Sequence, residues 1–129
     1  MAGGPLEGIR IIDLTSVVVG PLATQIMADY GADVVKVEAP AGDIVRTLAG
    51  RGITPNMSGK FLHLNRNKRS LVLDLKKPGA HAALLKLIER ADVLIWNMRP
   101  AAMTRLKLGY DEVRKLNPGI IYCGMFGFG

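Results

Sequence analysis

Cysteine, aromatic residues and long apolar runs are all scarce in this chain, and each scarcity removes a class of protein. A single cysteine, Cys123, among 129 residues allows no internal disulfide and no cysteine-based metal centre. Three Phe, three Tyr and one Trp are few for the rows of stacking platforms that single-stranded nucleic acid requires. No apolar run is long enough to span a bilayer. The start MAGGPLEGIR also lacks the basic opening and continuous apolar stretch of a secretory signal. These absences lead to the expectation of a cytoplasmic protein with neither membrane nor nucleic acid as a partner. Glycine is sparse where a dinucleotide site would need it: TSVVVGP, residues 15–21, carries one glycine, whereas G-x-G-x-x-G needs three. His63 and His81 are far apart and have no carboxylate or cysteine at ligand spacing, so no metal site is expected. Nor does any residue set pair a nucleophile with its base, so no catalytic residue is assigned within the chain.

The composition is that of an ordinary folded protein, 49% hydrophobic and 22% charged, enough for one domain or one piece of a larger one. The net charge of +6 is unevenly placed. Residues 1–59 hold four Lys and Arg against six Asp and Glu, and residues 60–129 hold thirteen against five, giving −2 and +8. A basic half of that size calls for an anionic partner, and a phosphorylated cofactor, a nucleic acid or an acidic membrane would each satisfy it.

Hydrophobic periodicity divides the chain into alternating strands and helices. Residues 9–14, IRIIDL, read as a strand, and Gly20 and Pro21 mark a turn into a helix with Pro21 at its first position and Gly31 as its stop. Leu22, Ala23, Ile26, Met27 and Tyr30 share one side of that helix. DVVKVE, residues 33–38, reads as a buried strand. The polar, Pro- and Gly-rich stretch 39–67 is long enough to suggest a functional excursion. SLVLDL (70–75) is a third strand, Pro78 opens a helix, DVLIWN (92–97) is a fourth strand, two short helical stretches break near Gly109, and GIIYCGMF (119–126) is a fifth strand. This alternation predicts an α/β fold with a Rossmann-like, mostly parallel sheet and helices on both faces, its ligand at the carboxyl ends of the strands.

Two basic segments stand out. NRNKRSLVLDLKK, residues 65–77, brackets the third strand with Arg66, Lys68, Arg69, Lys76 and Lys77, and suits a phosphate-rich ligand. NMRPAAMTRLK, residues 97–107, places Arg99 at the end of the fourth strand and Arg105 about two helical turns on. Glu38, at the end of the second strand, reads as a solvent-exposed acid, and Cys123 as a buried, inert thiol.

Three segments taken in order, LEGIRIIDLTSVVVGPLATQIMADYGADVVKVEAPAGD, NRNKRSLVLDLKKP and ADVLIWNMRPAAMTRLKLGYDEVRKLNPGIIYCGMFGFG, resemble the opening third of the class III CoA-transferases. That group includes formyl-CoA transferase, carnitine CoA-transferase and α-methylacyl-CoA racemase. The likeness implies that residues 1–129 form the N-terminal, coenzyme A-binding part of a larger domain, with CoA or acyl-CoA as substrate and a carboxylic acid as acceptor. It further implies contacts to CoA from Val18 and Val19, from Leu73, Asp74, Leu75 and Lys76, and from Asn97, Met98, Arg99 and Arg105. An aspartate beyond Gly129 is the implied nucleophile, so the chain alone is expected to be inactive, and an interlocked homodimer is the implied assembly. Racemisation of a 2-methylacyl-CoA, or anion binding by a freestanding module, are the alternative functions. One departure stands out: relatives often carry arginine directly after the strand-two acid, where this chain has Ala39. Arg46 and Arg66 are the candidates to replace that charge.

Overall fold

The structure, a computed structural model, describes residues 3–127 other than 49 and 51. Phe128 and Gly129, the end of the GFG segment, lie outside the described residues. Five strands form one parallel sheet: β1 (Arg10–Leu14), β2 (Asp33–Glu38), β3 (Arg69–Val72), β4 (Val93–Trp96) and β5 (Ile121–Gly124). Their spatial order is β3-β2-β1-β4-β5, and every pairing is parallel. The chain winds outward from β1 in one direction, then returns to β1's other side with β4. The topological switch therefore lies between β1 and β4, where open parallel sheets bind ligands.

Helices α1 (Val19–Asp29), α2 (Val45–Leu48) and α3 (Gly59–Asn65) lie in the two connections of the first half, and α4 (Pro78–Ile88), α5 (Pro100–Arg105) and α6 (Tyr110–Leu116) in those of the second. Side chains alternate across the strands, so each face has its own core. Ile12, Leu14, Val35, Val37 and Leu94 meet Leu84, Ile88, Met103, Leu108 and Val113 on the α4–α6 side, while Ile11, Val34 and Ile95 meet Ala28 and Ala32 on the α1 side. Leu84, Ile88 and Leu94 are fully buried, each contributing about 1.5–3 kcal/mol of transfer free energy.

Three sequence expectations are corrected. Helix α1 starts at Val19, two residues before Pro21. Proline is tolerated at its third position because the first four N–H groups of a helix have no internal acceptor. Its apolar stripe does not face the sheet: Leu22, Ile26 and Tyr30 are exposed, and the buried side is Gly20, Pro21, Thr24, Gln25 and Ala28. The cause is Asp13, wholly buried on β1, whose Oδ2 accepts a 2.6 Å hydrogen bond from Thr24 Oγ1. A buried carboxylate requires donors opposite it. Strand β3 ends at Val72, before the LDL of its motif. Its partner β2 ends at Glu38, opposite Val72, and Asp74 then forms a turn, its side chain accepting from Lys76 N at 3.2 Å and its carbonyl from Lys77 N at 2.9 Å. That turn delivers Pro78 to the first position of α4, where its missing N–H costs nothing. Finally, Cys123 is partly exposed; among the described residues its strand, β5, is the last in the sheet order.

Candidate functional site

The carboxyl ends of β1, β2, β3 and β4 open into a slot of roughly 340 Å³. Leu14, Thr15 and Ser16 form one wall, Leu73, Asp74, Leu75 and Lys76 the opposite one, and Met98 and Leu106 line its side. Leu75, Lys76 and Leu106 are shared with an adjoining open cleft of roughly 840 Å³, which also receives Lys77, His81, Arg105 and Lys107. None of Lys76, Lys77, Arg105 and Lys107 takes part in an ion pair among the described residues. An apolar slot thus runs into a cleft bearing four uncompensated cations, which suits a ligand with a flat organic end and several phosphates. His81 Nε2 donates to the Leu106 carbonyl at 2.6 Å, tying the start of α4 to the end of α5 and fixing the cleft's two walls.

The mouth of the slot is fastened across the switch point. Asn97, just after β4, accepts from Ser16 N at 3.0 Å and donates to Ser16 O at 2.9 Å. Thr15 is held by Asp13, which accepts from its N–H at 2.8 Å and from its hydroxyl at 2.5 Å. Gly20 has to be glycine here, since a Cβ would lie 2.3 Å from the Thr15 side chain.

Of the residues singled out from sequence, Leu73, Asp74, Leu75, Lys76 and Met98 are brought together in the slot, and Arg105 joins Lys76 in the cleft. Asn97 shapes the mouth through its bonds to Ser16. Val18 packs against Val45, Phe61 and Leu64, Val19 is exposed at the start of α1, and Arg99 is exposed before α5; these three lie outside both linings.

The basic segment 65–77 divides in two. Arg66 pairs with Asp29, Lys68 with Asp13 and Arg69 with Asp33, all at the amino end of β3 or against α1, so only Lys76 and Lys77 remain for a ligand. Burial pushes the Lys68 ammonium below its ordinary value, and the nearby Asp13 charge opposes that shift. Lys68 Nζ also donates to Pro21 O at 2.8 Å and Asn65 Oδ1 at 2.9 Å, which uses its three protons. Three of the thirteen bases of the second half are therefore held by acids of the first.

Glu38 is buried rather than exposed. Its carboxylate accepts from Arg46 Nε at 2.8 Å and Nη2 at 2.7 Å, and from Asp43 N at 2.8 Å. Arg46 also lies over the Phe61 ring at 3.8 Å and lines a surface recess with Ala39. Arg66 is committed to Asp29. Of the two candidates to stand in for a charge at Ala39, Arg46 is the one at that edge. Burial works to raise the Glu38 carboxyl, but the bonds from Arg46 and the Asp43 amide and the charges of Arg46 and Lys36 outweigh it, holding the group below its ordinary 4.5. A carboxylate depressed in the folded state contributes stability that is complete above the unfolded value and lost as pH falls through the folded one. Glu38→Gln is expected to flatten the loss of stability as pH falls below the ordinary carboxylate range, read from urea midpoints; an acid limb as steep as the parent's would contradict this ion pair.

A parallel sheet wound in both directions from β1, with helices on both faces, defines an α/β domain of Rossmann-like type. The family model for CoA-transferase family III matches residues 6–129, and the chain belongs to that family. It is 48% identical over 134 residues to an acyl-CoA transferase of Fusarium pseudograminearum, covering 98% of this chain and 29% of that protein. A succinyl-CoA:mesaconate CoA-transferase of Haloarcula hispanica is 43% identical over 129 residues, covering 98% and 33% respectively. Among solved structures, a CaiB/BaiF family protein from Brucella suis superposes with a TM-score of 0.91 at 34% identity, covering 98% of this chain and 34% of that one. The chain thus spans about a third of the length of these relatives. Among the described residues no cluster of three or more His, Cys, Asp or Glu side chains could hold a metal ion, and no helix is long and apolar enough to cross a membrane.

Proposed function

We propose that this chain is the coenzyme A-binding portion of a cytoplasmic enzyme that moves CoA from an acyl-CoA to a carboxylic acid acceptor. The observation that carries this reading is the convergence of Lys76, Lys77, Arg105 and Lys107 on a cleft continuous with the slot. The pyrophosphate and ribose phosphate of CoA supply the negative charge those cations lack, and the adenine supplies a flat surface for Leu73, Leu75, Met98 and Leu106. The chemistry is assigned to an aspartate outside residues 1–129, whose carboxylate displaces CoA thiolate from the acyl carbonyl to give an anhydride. The thiolate then attacks the aspartyl carbonyl, giving an aspartyl thioester and releasing the first acid. The acceptor carboxylate attacks that thioester and expels CoA thiolate, giving a second anhydride, and the thiolate then attacks the acceptor's acyl carbon, releasing the new acyl-CoA and the free aspartate. The bare apolar side of α1, with Val19 at 69% and Tyr30 at 54% exposure, supports a homodimer in which further polypeptide covers it.

The test is calorimetric titration of the folded 129-residue chain with CoA at low and high salt. Binding is expected, and it should weaken as salt rises because the cleft's cations are open to solvent. No heat of binding from a properly folded sample overturns the reading.

A further inference from the structure

Two of the most deeply buried charges, Lys36 and Asp43, sit beside the slot, and Asp43 is also part of its lining. Lys36 lies in mid-strand on β2, and Asp43 follows that strand; their side chains are 2% and 1% exposed and 3.1 Å apart. A buried ion pair is weak as a source of stability, since desolvation consumes most of its attraction. What this pair holds is more informative. Lys36 Nζ donates to Thr15 O at 2.9 Å. Asp43 accepts from Val17 N, 3.2 Å from each carboxylate oxygen, and from Val45 N at 3.1 Å. Both charges are thus aimed at the backbone of the β1–α1 turn.

That turn contains a conformation it would not adopt unaided. Val17 has φ +72°, the left-handed region where a β-branched side chain is strongly disfavoured. Residues held in such conformations persist only when their surroundings over-determine them. Here the surroundings do so from several sides: Asp13 on Thr15, Asn97 on Ser16, and Lys36 and Asp43 on Thr15 and Val17. Thr15 and Ser16 are also a wall of the slot.

We propose that Lys36 and Asp43 are positioning residues for the coenzyme A site, acting through the backbone of Thr15 and Val17 to hold the slot's wall in its binding shape. This rests on the CoA reading above, so its test carries one readout that needs no ligand. Lys36→Met/Asp43→Asn removes both charges together, leaving no unpaired buried ion. The folded double variant is expected to bind CoA about tenfold more weakly, and its amides at residues 15–18 are expected to exchange hydrogen faster while those of β1 and β4 keep the parent's protection. Adding Val17→Gly should recover most of the lost affinity, because glycine takes φ +72° without being held there. A pair that only stabilised the fold would give the same loss whether Val17 or glycine is present. If that double variant does not fold, Lys36→Gln/Asp43→Asn, which also leaves no unpaired buried ion and keeps polar groups at both positions, is expected to show a smaller loss of the same kind. Parent-like affinity in a folded variant, or an equal loss in both backgrounds, overturns the proposal. So does amide exchange at residues 15–18 that stays at the parent's rate. A parent chain that binds no CoA removes the functional reading instead, and the exchange rates still decide whether Lys36 and Asp43 hold the turn.

Discussion

Replacing Lys76 and Arg105 together with alanine is expected to weaken CoA binding by about a hundredfold, measured by calorimetry. Both side chains line the basic cleft, and neither is used in an ion pair among the described residues. A hydrogen bond from a cation to phosphate contributes about 1.5–3 kcal/mol. The cleft is open to solvent, so the lower end applies to each, and about 3 kcal/mol in total corresponds to roughly a hundredfold. Stability should change by no more than about 0.5 kcal/mol, as for other surface substitutions away from structural bonds. Lys86→Ala, in a recess lined by amino-end residues such as Arg10 and Asp33, is the control and should bind as the parent does. Equal loss in control and double variant would mean that general positive charge, not this cleft, attracts CoA.

The largest effect on stability is expected at Asp13. Its carboxylate is wholly buried and answers four donors: Thr15 N, Thr15 Oγ1, Thr24 Oγ1 and Lys68 Nζ. Asp13→Ala leaves an ammonium that is itself 2% exposed without its counter-charge, and removing one partner of a buried pair costs about 3–5 kcal/mol. That is a large share of the roughly 5–15 kcal/mol available to a domain. Urea unfolding should show it as a lowered midpoint at unchanged slope. Asp13→Asn/Lys68→Met, which removes both charges, should recover part of the loss. The comparison is Arg69→Ala, which breaks a pair whose side chains are 68% and 42% exposed and should cost under about 1 kcal/mol. Similar midpoints for Asp13→Ala and Arg69→Ala would refute the assignment of Asp13 as the anchor of the α1 face.

The architecture was legible in the sequence because its signals are local. DVVKVE matches β2 residue for residue, Pro78 opens α4, and the break at Gly109 separates α5 from α6. What depends on distant partners was not legible. The stripe Leu22, Ile26 and Tyr30 has the periodicity of a core-facing helix, yet the sheet carries Asp13 opposite α1, and only a helix side bearing Thr24 can satisfy it. The basic run 65–77 looked like one anion site because sequence shows charge and not direction. Its amino-terminal half meets Asp13, Asp29 and Asp33, and only its carboxyl-terminal end reaches the cleft. Glu38 has the sequence signature of a surface acid, since its partner Arg46 lies eight residues on, across a loop with no periodicity to locate it. Lys36 did leave a signal: a lysine between valines in a buried strand must find a carboxylate. That rule points to a partner without naming it, and Asp43 emerged only from the fold.

The measurement that bears most directly on the proposed coenzyme A site is the CoA titration followed residue by residue in the amide NMR spectrum of the chain. The amides of Ser16, Leu73, Leu75, Lys76 and Arg105 are expected to shift together along one binding curve, with a midpoint that moves to higher CoA as salt is raised, while those of Arg10, Asp33 and Arg90 at the recess near the sheet's amino end stay in place. Shifts centred on the amino edge, or no shifts at all in a folded chain, would contradict a coenzyme A site at the carboxyl ends of these strands.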